Sequence, residues 1–474
     1  MAQKITISPV TRIEGHAKIT VHLDDEGKVD RSFFHVEQFR GFEKFCEGRP
    51  YYEMPQITPR ICGICPVSHH LAAIKACDQI VSTTPTPTAH KLRELMHMGQ
   101  FIQSHGMHFF ELAGPDLILG FDAEPKTCNV AGLVEVNPDL VLKAVKLRAF
   151  GQRIISTLGG RRVHPIFGVP GGVNGSLSPS DRDHILNEVD AHLATAQVGL
   201  SVFKDWAERN QGTVDTFAIF SSAYMGLVKE DGSLELFHGR VRLVDAGGNL
   251  LKEFDPCDYL NYVGEHVEPY TYLKFPFYQA MGWPRGVYRV GPLGRLNVAT
   301  HISTPIAQQE MQVWKSLNGG GMVEGTLYYH YARLIELIYA LERAKELLED
   351  PDILGREIAN TSGPICGLGV GCVEAPRGTL FHQYWTDQHG VMTKVNLIVA
   401  TGHNNWAMSH AINLVARRYV DGNKLNEGML NRVEAAVRAY DPCLSCSTHA
   451  WGQMPICIEL YGPDGQIRDM LRRD

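Results

Sequence analysis

Ile19, Val21 and Leu23 alternate with Thr20 and His22, and the polar run Asp24-Asp25-Glu26-Gly27 follows directly. Period-two alternation predicts a half-buried strand, and the run predicts a turn into a second extended stretch. Beyond residue 70 the pattern changes. Leu71 to Ala76 is a run of helix formers. After a Pro/Thr-rich break from Thr83 to Thr88, Leu92, Leu95, Met96, Gly99 and Ile102 line one face of a helix expected from about Ala89 to Ala113. Further helices are predicted over 140–156 and 180–209, the second opening on the capping run Ser180-Asp181-Arg182-Asp183. Leu327, Tyr331, Leu334, Ile338 and Leu341, spaced by four and three, predict a long helix over 326–349 that packs in a bundle. Residues 228–255 read as an inserted β meander with turns at Asp231-Gly232 and Gly247-Gly248. The fold class expected is α+β, mainly α: a core of long helices with peripheral β hairpins, in one domain over residues 1–449.

The bulk numbers exclude more than they assign. A chain of 474 residues, 44% hydrophobic and 20% charged, has ordinary globular composition and ample length for a large core. A net charge of −7, with no Lys/Arg run, gives no reason to expect nucleic acid. No stretch approaches the ~20 apolar residues of a membrane helix, and the start of the chain lacks the apolar core of a signal peptide. Eleven cysteines are too sparse for a disulfide scaffold and odd in number, which favours a reducing compartment. A cytoplasmic protein is expected.

Two Cys-x-x-Cys pairs lie at opposite ends of the chain: Cys62-Gly63-Ile64-Cys65 and Cys443-Leu444-Ser445-Cys446. One isolated pair reads equally well as buried apolar cysteines or a redox couple. Two pairs, each followed by a histidine (His69 and His449), favour a four-sulfur metal site. Such a donor set suits zinc, iron or nickel far better than calcium or magnesium. Zinc ribbons close over roughly 15–20 residues, so if these pairs meet, the whole fold is built around the metal. Ligand chemistry alone leaves structural zinc open.

The neighbouring residues discriminate. Arg60-Ile61-Cys62-Gly63-Ile64-Cys65 with His69, and Asp441-Pro442-Cys443-Leu444-Ser445-Cys446 with His449, resemble the large subunit of nickel–iron hydrogenases. Pro9-Val10-Thr11-Arg12-Ile13-Glu14-Gly15-His16, Arg40-Gly41-Phe42-Glu43 and Glu374-Ala375-Pro376-Arg377-Gly378 are similar to the same family. The run Phe39 to Pro50 is most similar to its cytoplasmic, NAD-coupled bidirectional branch, with viologen- or deazaflavin-linked relatives as the alternative.

The resemblance implies a set of roles. Cys62 and Cys443 would be terminal nickel ligands, and Cys65 and Cys446 would bridge nickel to an iron carrying carbon monoxide and cyanide. Glu14 would relay the proton; its bland alternative is a surface ion pair with Arg12. Pro376 and Arg377 would line the cofactor, with Asp116 and Asp441 as carboxylate partners of Arg377. Thr401 would bond a cyanide, and His69 would hydrogen-bond a bridging sulfur. Glu43, His449 and the carbonyl of Leu397 would hold a second metal, magnesium. His105 and His108, at i and i+3, are taken as packing residues. Gly367-Leu368-Gly369-Val370-Gly371 has the wrong spacing for a dinucleotide fingerprint, and no iron–sulfur run occurs.

Electrons must therefore leave through other polypeptides. The resemblance implies an iron–sulfur small subunit, a flavin-bearing diaphorase, nickel chaperones and a maturation protease that removes residues 450–474. Within that tail Ile456, Ile458 and Leu460 alternate before Gly462-Pro463-Asp464-Gly465, which predicts a hairpin. While attached, the tail is expected to hold Cys443 and Cys446 away from their final positions. The implied activity is reversible splitting of H2 into protons and electrons. A metal-free scaffold related to the quinone-site subunit of respiratory complex I is the rival, and it lacks the two cysteine pairs; a zinc-stapled subunit is a third reading.

Overall fold

The computed structural model describes residues 4–449, 456–463 and 466–473. Four long helices form the centre. Pro87–Met107 packs on Pro138–Gly159 and on Tyr328–Glu349, and Pro179–Arg209 packs on both of the latter. Tyr328–Glu349 is buried along almost its whole length, which is why its apolar positions continue beyond one stripe. Among the described residues, the larger of two hydrophobic cores draws on residues from Ile7 to Cys446, and the smaller joins the Ala223–Val228 and Gly378–Thr386 sheets. Among the described residues, no helix is long and apolar enough to cross a membrane.

Helix ends depart from the sequence expectation where a local hydrogen bond decides. The helix expected from Ser180 starts at Pro179, because the Ser178 hydroxyl accepts from Asp181 N and caps it. Thr86 likewise caps the helix that starts at Pro87. That helix does not run to Ala113 as α-helix. After Met107 it widens into a π turn, His108–Ala113, and resumes over Gly114–Ile118. Pro115 has no N–H to donate back to Glu111, so the regular ladder cannot pass through it.

Among the described residues, three sheets of three or more strands surround the helices, besides three two-stranded ones. Lys4–Ile7, Lys18–Leu23 and Val29–His35 form an antiparallel sheet, with the expected turn held by Asp24 Oδ1, which accepts from Glu26 N and Lys28 N. The stretch 228–255 belongs to a four-stranded sheet that begins earlier: Ala223–Val228, Arg240–Val244 and Leu250–Phe254 pair antiparallel, and Tyr288–Arg289 adds to the first strand in parallel. Leu368–Ala375, Gly378–Thr386 and Met392–Ile398 form a third, antiparallel sheet. The tail forms a hairpin of Ile456–Tyr461 and Ile467–Arg473; Asp464 and Gly465 of its expected turn lie outside the described residues.

The third sheet lies directly under Pro66–Ile80, the helix that follows the first cysteine pair. Gly369 and Gly371 serve this approach: a Cβ on Gly369 would sit 2.0 Å from the Ala76 carbonyl oxygen, and one on Gly371 1.8 Å from that of Ala72. Neither backbone can yield without moving the Pro66–Ile80 helix, whose N-cap is Cys65. Gly371→Ala is therefore expected to destabilise the protein by about 3 kcal/mol, the upper end for overpacking, read as a lowered melting temperature.

Candidate metal centre

Each cysteine pair is placed by a helix start. Cys62 ends the 3-10 turn Thr58–Ile61, and Cys65 is the N-cap of Pro66–Ile80, with Pro66 in the position where a missing N–H costs nothing. Cys443 is the N-cap of the short helix Leu444–Ser447. The fold brings the two pairs together. Cys62 Sγ lies 3.2 Å from Cys443 Sγ, Cys65 Sγ lies 3.2 Å from Cys446 Sγ, and Cys443 and Cys446 are 2.9 Å apart. All four thiols are buried, and their sulfurs lie within 4.8 Å of one another. The four sulfurs thus converge in the full-length chain, while residues 450–455, which join the tail to His449, lie outside the described residues.

Four thiols this close shed protons unequally. Hydrogen bonds from Cys443, Cys446 and Cys65 hold the Cys62 pKa well below its usual value, helped by the Arg377 charge. Burial then pushes Cys443 and Cys446 well up. A soft divalent cation is what allows all four to be thiolates at once. The donor set therefore fits a thiolate-bound transition metal and does not fit a hard cation.

A hairpin tip reaches the cluster from the third sheet. Ala375 pairs with Gly378, leaving Pro376-Arg377 as a two-residue loop. Buried Arg295 fixes this loop. It donates to both oxygens of Glu336 at 2.6 Å, to Glu374 at 2.7 Å, and to the carbonyls of Ala375 and Pro376. Arg377 donates to Asp441 Oδ1 at 3.0 Å and reaches Ser104 Oγ at 3.4 Å. Burial disfavours its charge, but Asp441, Cys443, Cys65 and Cys62 more than offset this, and its pKa ends well above the usual value. Among the described residues, Arg377 Nε and Asp441 Oδ2 find no hydrogen-bond partner although both are buried, so polar capacity remains beside the sulfurs.

Asp116 is not at this place, and its expected pairing with Arg377 is corrected. Its oxygens accept from Arg12 at 2.5 Å and from Arg438. The π turn and Pro115 carry Asp116 past the cluster, into a network with Asn431 and Glu434 that anchors the N-terminal segment. The neutral hydroxyl of Ser104, from the preceding helix, occupies the second side of Arg377 instead. No motif marks Ser104, Arg295 or Glu336, and only the helical face shared by Ser104 and the core positions could have pointed to the first of them.

Engaging Arg12 in this way leaves Glu14 free of it. Glu14 forms a parallel bridge with Cys443; its carbonyl accepts from Leu444 N at 3.1 Å and its Oε2 from Ser445 N at 3.0 Å. Gly15, at φ +89°, permits this: a Cβ there would lie 2.7 Å from Leu444 Cβ. Thr401 Oγ1 accepts from Cys443 N at 2.9 Å, which leaves its own proton available to another acceptor. His69 Nε2 lies 3.4 Å from Cys446 Sγ, and burial lowers the His69 pKa to about 4.

Glu43, Leu397 and His449 also converge. His449 Nε2 is 2.6 Å from the Leu397 carbonyl oxygen and 3.7 Å from Glu43 Oε1, and Leu397 N donates to the same Glu43 oxygen at 2.7 Å. The Arg40–Glu43 segment is tied to the end of the cysteine loop through Arg40 N to Thr448 O and Glu43 N to His449 O, and the Arg40 guanidinium donates to the carbonyls of Ile61 and Ser445. One carboxylate, one carbonyl and one imidazole make a mostly oxygen donor set, which fits a hard cation. His105 and His108 are occupied elsewhere: the former binds Glu336 at 2.9 Å, the latter the Arg438 carbonyl at 2.8 Å. Cys46 is buried, and desolvation drives its thiol up to about 12, so it is inert.

A family model described as nickel-dependent hydrogenase matches residues 40–129 and 246–449, and one described as HoxL-like matches residues 4–39. The chain is 45% identical to the NAD-reducing hydrogenase HoxS subunit beta of Cupriavidus necator, covering 99% of each chain. It is 44% identical to an F420-non-reducing hydrogenase chain of Methanothermobacter thermautotrophicus, covering 98% of this chain and 99% of the relative. The structure superimposes on that of an NAD+-reducing [NiFe]-hydrogenase in the H2-reduced state with a TM-score of 0.92 and 42% identity, over 94% of this chain and 99% of the other.

Proposed function

This chain belongs to the nickel-dependent hydrogenase family as the catalytic subunit for H2, and on that premise we propose that its four thiolates hold a nickel–iron centre whose electrons pass to NAD(P). The observation that carries the reading is the buried four-sulfur cluster with Arg377 against it. Such a centre, with carbon monoxide and cyanide on its iron, supplies the Lewis acidity that polarises H2 and the redox capacity that takes its electrons. Cys62 and Cys443 would hold nickel at its end positions, with Cys65 and Cys446 shared with iron.

The protein's own groups do the rest. Asp441 and Ser104 orient the Arg377 guanidinium, so its charge is fixed over the cluster before H2 arrives. The orphaned Arg377 Nε and the Thr401 hydroxyl proton are donors suited to cyanide nitrogen. Glu14 would take the proton from the Cys443 sulfur; the backbone bridge between the two residues and the bond from Ser445 N to its Oε2 support this reading. Glu43, the Leu397 carbonyl and His449 would hold magnesium and tie the cysteine loop to the third sheet.

Glu14→Gln keeps the oxygen that accepts from Ser445 N but cannot carry a proton. It is expected to lower H2 oxidation by about 10²-fold or more, within the range for general acid–base loss, while metal content stays at the native level; steady-state rates and metal analysis of one preparation check both. Residues 450–474 are expected to be absent from active enzyme, since cleavage after His449 would free a carboxylate beside the second metal. Intact mass of the active complex tests this: a large subunit that still carries the tail while turning over would refute it.

The electron acceptor follows from kinship rather than from this chain's chemistry. The HoxL-like match and the NAD-reducing relative support a flavin-bearing diaphorase reached through an iron–sulfur small subunit. The Methanothermobacter relative, nearly as similar, favours a different acceptor as second reading. H2-driven reduction of NAD by the complex purified from cytoplasm supports the former; H2-driven reduction of viologen alone supports the latter.

A further inference from the structure

Behind the cluster, a row of buried polar groups leads away from Cys446. His69 Nε2 faces Cys446 Sγ at 3.4 Å, His69 Nδ1 faces His382 Nε2 at 3.0 Å, and His382 Nδ1 faces the Tyr384 hydroxyl at 2.6 Å. All three side chains are essentially inaccessible to water. They come from two elements: His69 from the Pro66–Ile80 helix, and His382 and Tyr384 from one face of the Gly378–Thr386 strand packed against it. Among the described residues, neither imidazole forms an ion pair with a carboxylate, in contrast to His105 with Glu336.

Counting protons fixes the direction of this row. A thiolate shared between two metals carries no proton and can only accept, so His69 must present Nε2–H to it. A neutral imidazole has one N–H, so His69 Nδ1 is bare and must accept from His382 Nε2–H. His382 Nδ1 is then bare in turn, and the Tyr384 O–H must donate to it. Thr58, beside the phenol, gives its proton to the Met54 carbonyl at 2.8 Å and can only accept there, but the bare His382 Nδ1, 2.6 Å from the phenol oxygen, takes the one phenol proton. The alternative polarity would leave a bare nitrogen facing a bare sulfur.

We propose that His382 and Tyr384 are positioning residues of the hydrogenase site, forming with His69 a hydrogen-bond chain of one polarity that aims an imidazole N–H at Cys446 Sγ. This rests on the nickel–iron reading above. A sulfur that accepts a hydrogen bond gives less electron density to its metals, so the chain tunes the iron from three residues away. It also gives a role to a histidine and a tyrosine two apart on one face of a strand that is buried at both positions.

The test is infrared spectroscopy of the loaded enzyme, purified with its partner subunits, on Tyr384→Phe, His382→Leu and His382→Gln. Glutamine can still donate through its amide nitrogen to His69 and accept through its oxygen from Tyr384; leucine can do neither. Tyr384→Phe and His382→Leu are expected to move the carbonyl and cyanide stretches to lower wavenumber, as the sulfur becomes a stronger donor, while His382→Gln returns them to the native position. Unmoved bands in Tyr384→Phe, which removes one oxygen and keeps the ring, would overturn the proposal, as would a His382→Gln spectrum displaced as far as that of His382→Leu. Absence of these stretches from the native enzyme would instead refute the nickel–iron reading itself.

Discussion

Replacing Cys443 by serine is expected to abolish H2 turnover and to strip nickel from the protein while leaving it folded. Serine fits the same space, and the contact that Thr401 makes is with the backbone N–H of residue 443, which survives the change. What is lost is a soft donor, and oxygen replaces sulfur poorly for nickel. Removing a group that merely supports a metal ligand costs roughly 10–100-fold in affinity or activity; removing the ligand itself costs more, so turnover should fall below detection. Nickel analysis beside a melting curve separates this from misfolding. A Cys443→Ser protein that keeps nickel and activity would mean that the cluster is not the active centre.

Arg377→Lys should lower H2 oxidation by about 10²–10³-fold without loss of metal. The magnitude is that of removing one preorganised charged donor from a water-excluded site. Lysine keeps the charge but not the fork that lets one side chain reach Asp441 and Ser104 together and still direct Nε elsewhere. An unchanged rate with native metal content would show that charge alone suffices there; metal loss would show that Arg377 holds the cofactor rather than acting on H2.

How much of this site was written in the sequence differs from group to group. Cys62, Cys65, Cys443 and Cys446 could be found because metal ligation demands particular residue types at short spacing, and the fold has to bring such pairs together. His449 sits in the second cysteine run, whereas Glu43 lies in the separate Arg40–Glu43 run and was pointed to only by the family resemblance; the fold brings the two to 3.7 Å. Asp116 was misplaced because Gly-Pro-Asp shows a turn and a carboxylate but not which of several arginines it meets; a π turn settled that. Ser104, Arg295 and Glu336 carry no motif, since their partners are brought together only by the packed helices and strands. His382 and Tyr384 lie at period two, but Thr379 and Gln383 are polar in the same strand and it is buried on both faces, so no alternation marks them. The long helices were readable from their spacing, whereas their ends depended on single side-chain caps such as Ser178.

What the four sulfurs bind decides the chemistry of this chain. Metal analysis with infrared spectroscopy, on the matured protein purified with its partners, tests that most directly. The expected result is one nickel and one iron per chain, with stretches from carbon monoxide and cyanide. Zinc alone, with no such stretches and no turnover of H2, would contradict it.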